Sequence, residues 1–124
     1  MTEAPVIVTL EIKKAQFELA QALYDILNDR QWVKASLLVT TNERGHMSNV
    51  IETTDEFGVV DVIDTPDSLH LPIISVRLAM RLPDESTFST LVVALDDKGH
   101  TELNARYDRE HQPVWQLPET LQTT

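Results

Sequence analysis

The groups through which this chain could do chemistry are four histidines and twenty carboxylates, and their spacing matches no common catalytic pattern. His46, His70, His100 and His111 are scattered. His46 and His100 each follow a glycine in a turn-forming stretch, where an exposed polar side chain is ordinary. His111 stands three residues from Asp108, and His70 three from Asp67, separations that allow local hydrogen bonds. A small hydrolase using His111 and Asp108 is therefore one reading. The other nucleophile and ligand patterns are missing. There is no His-Glu-x-x-His, no Gly-x-Ser-x-Gly elbow and no glycine-rich phosphate loop in a chain with three glycines. Asp96-Asp97-Lys98-Gly99 shares two residue types with a calcium loop but lacks its spacing and its closing Glu. With no cysteine, disulfides and thiolate metal sites are excluded, and a reducing cytoplasm is the expected setting. The residues imply no catalytic site, no metal and no cofactor.

The carboxylates carry a different signal. Twenty Asp and Glu stand against ten Lys and Arg, a formal net charge of −10. Phosphate neutralisation needs clustered cations, so this balance argues against nucleic acid as a partner, and equally against an anionic membrane surface. A basic protein is the partner that such a field favours. Between Arg44 and Arg77 there is no Lys or Arg at all, and within that gap lie Glu52, Asp55, Glu56, Asp61, Asp64 and Asp67. Phe57, Val59 and Val60 are interleaved with them. Acids around a few apolar anchors make a candidate binding surface for a basic protein. The competing interpretation is a solvated acidic face kept for solubility. Glu102 and Asp108, on the polar side of a later strand, are a second choice.

The elements that must position these groups follow from periodicity. Pro5 to about Asn28 reads as a helix, with Thr2 as cap and an apolar stripe through Ile12, Leu19, Ala20, Leu23, Ile26 and Leu27. The opening Val6-Ile7-Val8-Thr9-Leu10 also suits a short strand. Trp32–Thr41 alternates as a strand, although Leu38 breaks the pattern. Asn42-Glu43-Arg44-Gly45 turns the chain into a strand over Met47–Thr53, and Phe57–Ile63 makes a third after an acidic turn. Asp67 or Ser68 caps a second helix, stopped by Pro83, with Leu71, Ile74, Leu78 and Leu82 on one face. Phe88–Leu95 is nearly all apolar, as expected of a strand covered on both sides. Asp96 to Gly99 forms a hairpin turn, with Gly99 at positive φ. In the return strand Thr101, Leu103, Ala105 and Tyr107 share one face; Glu102, Asn104, Arg106 and Asp108 share the other. The expected fold is α+β: an antiparallel sheet of about five strands with two helices packed on one face. At this length the chain forms one domain, over 1–117, with 118–124 as a flexible tail. Neither a secretory leader nor a membrane span is expected.

The stretch Val76 to Trp115 resembles the YezG-like immunity proteins, bacterial cytoplasmic antidotes of polymorphic and contact-delivered toxins. The matching features are Arg77-Leu78-Ala79-Met80, the strand start Thr87-Phe88-Ser89, the apolar strand Leu91 to Leu95 and the turn Asp97-Lys98-Gly99. They continue with the corner Tyr107-Asp108, then Pro113 and Trp115. Ala20-Gln21-Ala22-Leu23, in a helix ending before Trp32, also fits. Phe88 stands where a Trp is more usual, and the preceding glycine is absent. The resemblance implies an α+β fold, no catalysis, and neutralisation of a cognate toxin domain, often a nuclease. It supplies no binding residues, because such surfaces differ with the toxin. The expected protein is a cytoplasmic monomer or weak dimer that occludes a basic active-site cleft. A small acidic secretion chaperone or adaptor is the alternative binding module.

Overall fold

The computed structural model describes residues 6–42 and 44–116. Its central feature is a five-stranded antiparallel sheet in the order β4-β3-β2-β5-β6, formed by Lys34–Thr41 (β2), Met47–Thr54 (β3), Val60–Ile63 (β4), Thr90–Asp96 (β5) and Thr101–Arg106 (β6). Two helices, α1 (Leu10–Leu27) and α2 (His70–Ala79), complete the expected α+β architecture. The core is built from alternate strand residues (Ala35, Leu37, Val39, Ile51, Leu91, Val93, Leu95) and from the helices' buried stripes. The meander and the late hairpin meet where β2 pairs with β5, with Leu37 opposite Val93.

α1 starts later than the sequence implies. Thr9 is its cap, its hydroxyl accepting from the Ile12 amide at 3.2 Å. Thr2 and Pro5 lie outside the described residues. Val6–Ile7 is a strand (β1), the alternative that its β-branched residues favour. It pairs in parallel with Trp115–Gln116 (β7), so the chain's late segment returns to the start of α1. Ile12, Ala15, Leu19, Ala20, Leu23 and Leu27 are buried, as the period requires, and Ile26 is half-buried at the stripe's margin. Trp32 then donates its indole N–H to the Leu27 carbonyl at 3.1 Å, a second bond beside that from the Arg30 amide at 3.0 Å, so this helix-end acceptor is satisfied twice.

The second helix corrects two expectations. Neither Asp67 nor Ser68 caps it by a side-chain hydrogen bond; a single 3₁₀ turn over Asp67–Leu69 leads directly into His70. The face expected inside is also displaced. Leu71 and Leu78 are exposed, while Leu69, Ile73, Val76 and Met80 are buried. Both sets have helical spacing, and this helix is apolar on more than one side. Periodicity alone does not choose between them; the buried set is the one packed into the core where α2 meets α1. Leu82 is buried as expected.

β5 is covered on one side only, not two. Leu91, Val93 and Leu95 are buried, but Thr90, Val92, Ala94 and Asp96 on the other face are only half-covered. The helices occupy a single face, so among the described residues a central strand's apolar outer residues gain cover from neighbouring strands alone. β6 alternates as expected, and Tyr107 beyond it is buried. The Tyr107 hydroxyl donates to the Met80 carbonyl, its backbone N–H donates to Gln112 Oε1 at 2.7 Å, and its ring lies 6.4 Å from that of Trp115. Gln112 closes the corner by donating to the carbonyls of Tyr107 and Arg109, each at 2.8 Å. The tail at 118–124 lies outside the described residues, as does residue 117.

Candidate protein-binding surface

Three hairpins in the sheet share one turn. Asn42, Asp55 and Asp96 each open a loop whose glycine, three residues on, has positive φ: +83° at Gly45, +81° at Gly58 and +90° at Gly99. In each, the opening side-chain oxygen Oδ1 accepts two backbone N–H groups. Asn42 takes those of Arg44 and His46, Asp55 those of Phe57 and Val59, and Asp96 those of Lys98 and His100, all within 2.9–3.0 Å. The pattern Asx-x-x-Gly thus recurs three times, and its middle copy corrects the reading of Phe57. Phe57 belongs to the turn, not to the strand, which begins at Val60. At the tip its ring is 83% exposed, too much for a residue held by packing.

The acidic stretch wraps an edge rather than lying flat. β4 is the sheet's edge strand, with Val62 opposite Glu52 and Asp61 opposite Thr53. Strand alternation therefore places Glu52, Val60 and Val62 on the face away from the helices, and Asp61 on the helix side. Asp55 and Glu56 sit in the β3–β4 turn; Asp64 and Asp67 follow β4 into the 3₁₀ turn. Asp55 is committed to its turn. Glu52, Glu56, Asp61, Asp64 and Asp67 are exposed and make no side-chain hydrogen bond or ion pair with any described residue. Phe57, Val59, Val60 and Val62 beside them are exposed at 83, 58, 55 and 68%.

The structure also joins the two sets of candidate residues. Ser36 lies opposite Glu52 on one side and Ala94 on the other, and Ala94 lies opposite Glu102. Glu52 and Glu102 thus flank a row floored by two small side chains. With strands about 4.8 Å apart, their backbones are roughly 14 Å apart. An open cleft of about 440 Å³ follows this row, lined also by Lys34, Thr54, Asp96 and His100. The adjoining row is apolar: Leu38 faces Val50 and Val92. Leu38 and Val50 are 38 and 39% exposed. Ser36, Ala94, Val50, Val62 and Val92 were not among the expected site residues. The signal that could have found this face is the break at Leu38, where an apolar residue occupies the polar side of a strand. Asp108 follows the opposite end of β6 and is not part of the cleft.

Neither expected histidine pair forms. The described structure has no hydrogen bond between His111 and Asp108 or between His70 and Asp67. The pair that does form is His100 Nδ1 with Asp96 Oδ2, at 2.7 Å, because the hairpin turn folds the two together. The backbone N–H of His100, with the His100 side chain and the Lys98 amide, holds the Asp96 carboxyl below the usual carboxylate range. Among the described residues no group of three or more His, Asp or Glu is placed to hold a metal ion, and no helix is long and apolar enough to cross a membrane. No protein-family model and no curated protein matches the chain, so the likeness to YezG-like immunity proteins rests on its motif residues alone.

Proposed function

We propose that this protein is an immunity protein that works in the bacterial cytoplasm without catalysis, neutralising a cognate toxin domain by covering a basic, substrate-binding cleft. One observation carries the reading. In a stretch free of Lys and Arg, five exposed carboxylates have no partner among the described residues, beside four exposed apolar side chains. Like charges gathered without counter-charges raise the energy of the folded chain, and a basic partner relieves that repulsion on docking. Such a surface also steers association. A cleft that binds RNA, DNA or another anionic substrate presents the complementary field, and capture should accelerate as salt falls. The test is inhibition of the purified toxin domain encoded beside this gene. Stoichiometric loss of its activity, with an association rate that falls as salt rises, supports the reading. Full toxin activity in the presence of excess protein overturns it.

A secretion chaperone or adaptor is the second reading, and β4 supports it. A short edge strand with unpaired backbone groups is able to accept an extended segment by strand addition. That mode needs an unfolded or extended partner, whereas the immunity reading needs a folded one. Binding to the folded toxin domain, measured against its denatured form, separates them.

A further inference from the structure

The sheet face away from the helices has the form of a receptor for a basic side chain. Its floor at Ser36 and Ala94 is low, because neither residue extends far from the backbone. Glu52 and Glu102 stand on either side, exposed and without a partner in the described structure. Asp96 at the end of the cleft is already engaged by its own turn and by His100. Among the described residues, Lys34 is the one Lys or Arg lining the cleft, against three carboxylates. Alongside runs the apolar row Val50–Leu38–Val92, which suits the aliphatic stem of a long side chain.

We infer that this trough receives an arginine or lysine side chain from the surface of a basic protein partner, with Glu52 and Glu102 holding its charged end and Leu38 and Val92 packing its stem. The inference rests on the proposed reading and extends the contact from the β4 edge onto the open face. Charge complementarity selects this occupant over a second copy of the chain. Two copies placed face to face would bring two molecules of charge −10 together, with Glu52 and Glu102 of each facing those of the other.

The probe is the triarginine peptide acetyl-Arg-Arg-Arg-amide, titrated into the ¹⁵N-labelled full-length protein at low salt. Amide shifts should concentrate at Ser36, Glu52, Ala94 and Glu102. The double variant Glu52→Gln/Glu102→Gln should weaken the peptide about five- to tenfold, the combined scale of two exposed charge pairs. Asp61→Asn/Asp64→Asn, of equal charge change on the β4 edge, should weaken it less than twofold. Shifts centred on residues 55–67, or equal losses from both double variants, would overturn the inference. So would shifts at Ser36 and Ala94 that depend on protein concentration without peptide, since a second copy would then own the face. A failure here leaves toxin inhibition by the wild-type protein untouched, and loss of that inhibition leaves the peptide map standing. The two ideas therefore fail separately.

Discussion

Replacing Tyr107 by phenylalanine isolates one buried hydroxyl and gives it a pH signature. The side chain is 2% exposed, and its hydroxyl donates to the Met80 carbonyl just beyond α2. Removing it leaves that carbonyl without its partner at a buried site, a loss of roughly 1–3 kcal/mol at neutral pH. Burial also pushes the Tyr107 pKa up from 10.0 to about 12. The folded chain then holds the phenol proton more tightly than the unfolded chain does. The associated stabilisation is complete below pH 10 and is lost as pH rises towards 12. At about 1.4 kcal/mol per pKa unit, the full loss is on the order of 3 kcal/mol. Tyr107→Phe has no such proton, and every other titrating group is common to both proteins. Urea unfolding of the pair at pH 8, 10, 11 and 12 should show the wild type ahead at pH 8 and its lead shrinking steadily above pH 10. Parallel curves across that range would refute the reasoning, because they would mean that the phenol ionises equally well in the folded and unfolded chains.

Other perturbations test separate parts of the structure. Leu37→Ala, fully buried at the centre of the sheet, should cost about 2–5 kcal/mol in urea unfolding. Gly58→Ala meets no atom within 4 Å, so its cost is backbone strain alone, roughly 1–2 kcal/mol for a side chain held at φ +81°; the same unfolding assay reads it. Phe57→Ser should change stability by less than about 0.5 kcal/mol yet weaken toxin-domain binding by about fivefold or more, measured by titration calorimetry. A Phe57 change that lowers stability and leaves affinity intact would assign the ring to packing.

The parts of the fold that were legible in the sequence were those where one local signal had no competitor. Asp96 to Gly99 combined a side-chain acceptor with a glycine able to take positive φ, and the hairpin formed there. The α1 stripe has one apolar face, and the helix buries it. α2 has two, and which is buried depends on how the helix docks against α1, a tertiary fact. The apolar residues of β5 suggest cover on both faces, yet both helices lie on one side of this sheet. The apolar neighbours of Phe57 suggest a strand, although Gly58 completes the same turn pattern that stands at Asn42 and Asp96. For the candidate surface, charge along the chain found Glu52 and Glu102 but assigned them to different groups. Only strand register shows that they flank the same row, since residues 50 positions apart in sequence come together through two intervening strands.

Neutralisation of a toxin by this protein would show itself most plainly in living cells. The toxin domain encoded beside this gene is expressed from an inducible promoter, with and without this protein. Growth should continue when both are made and stop when the toxin is made alone. Cells that die equally in both cases, with the protein present in soluble form, would mean that it is not an antidote to that toxin.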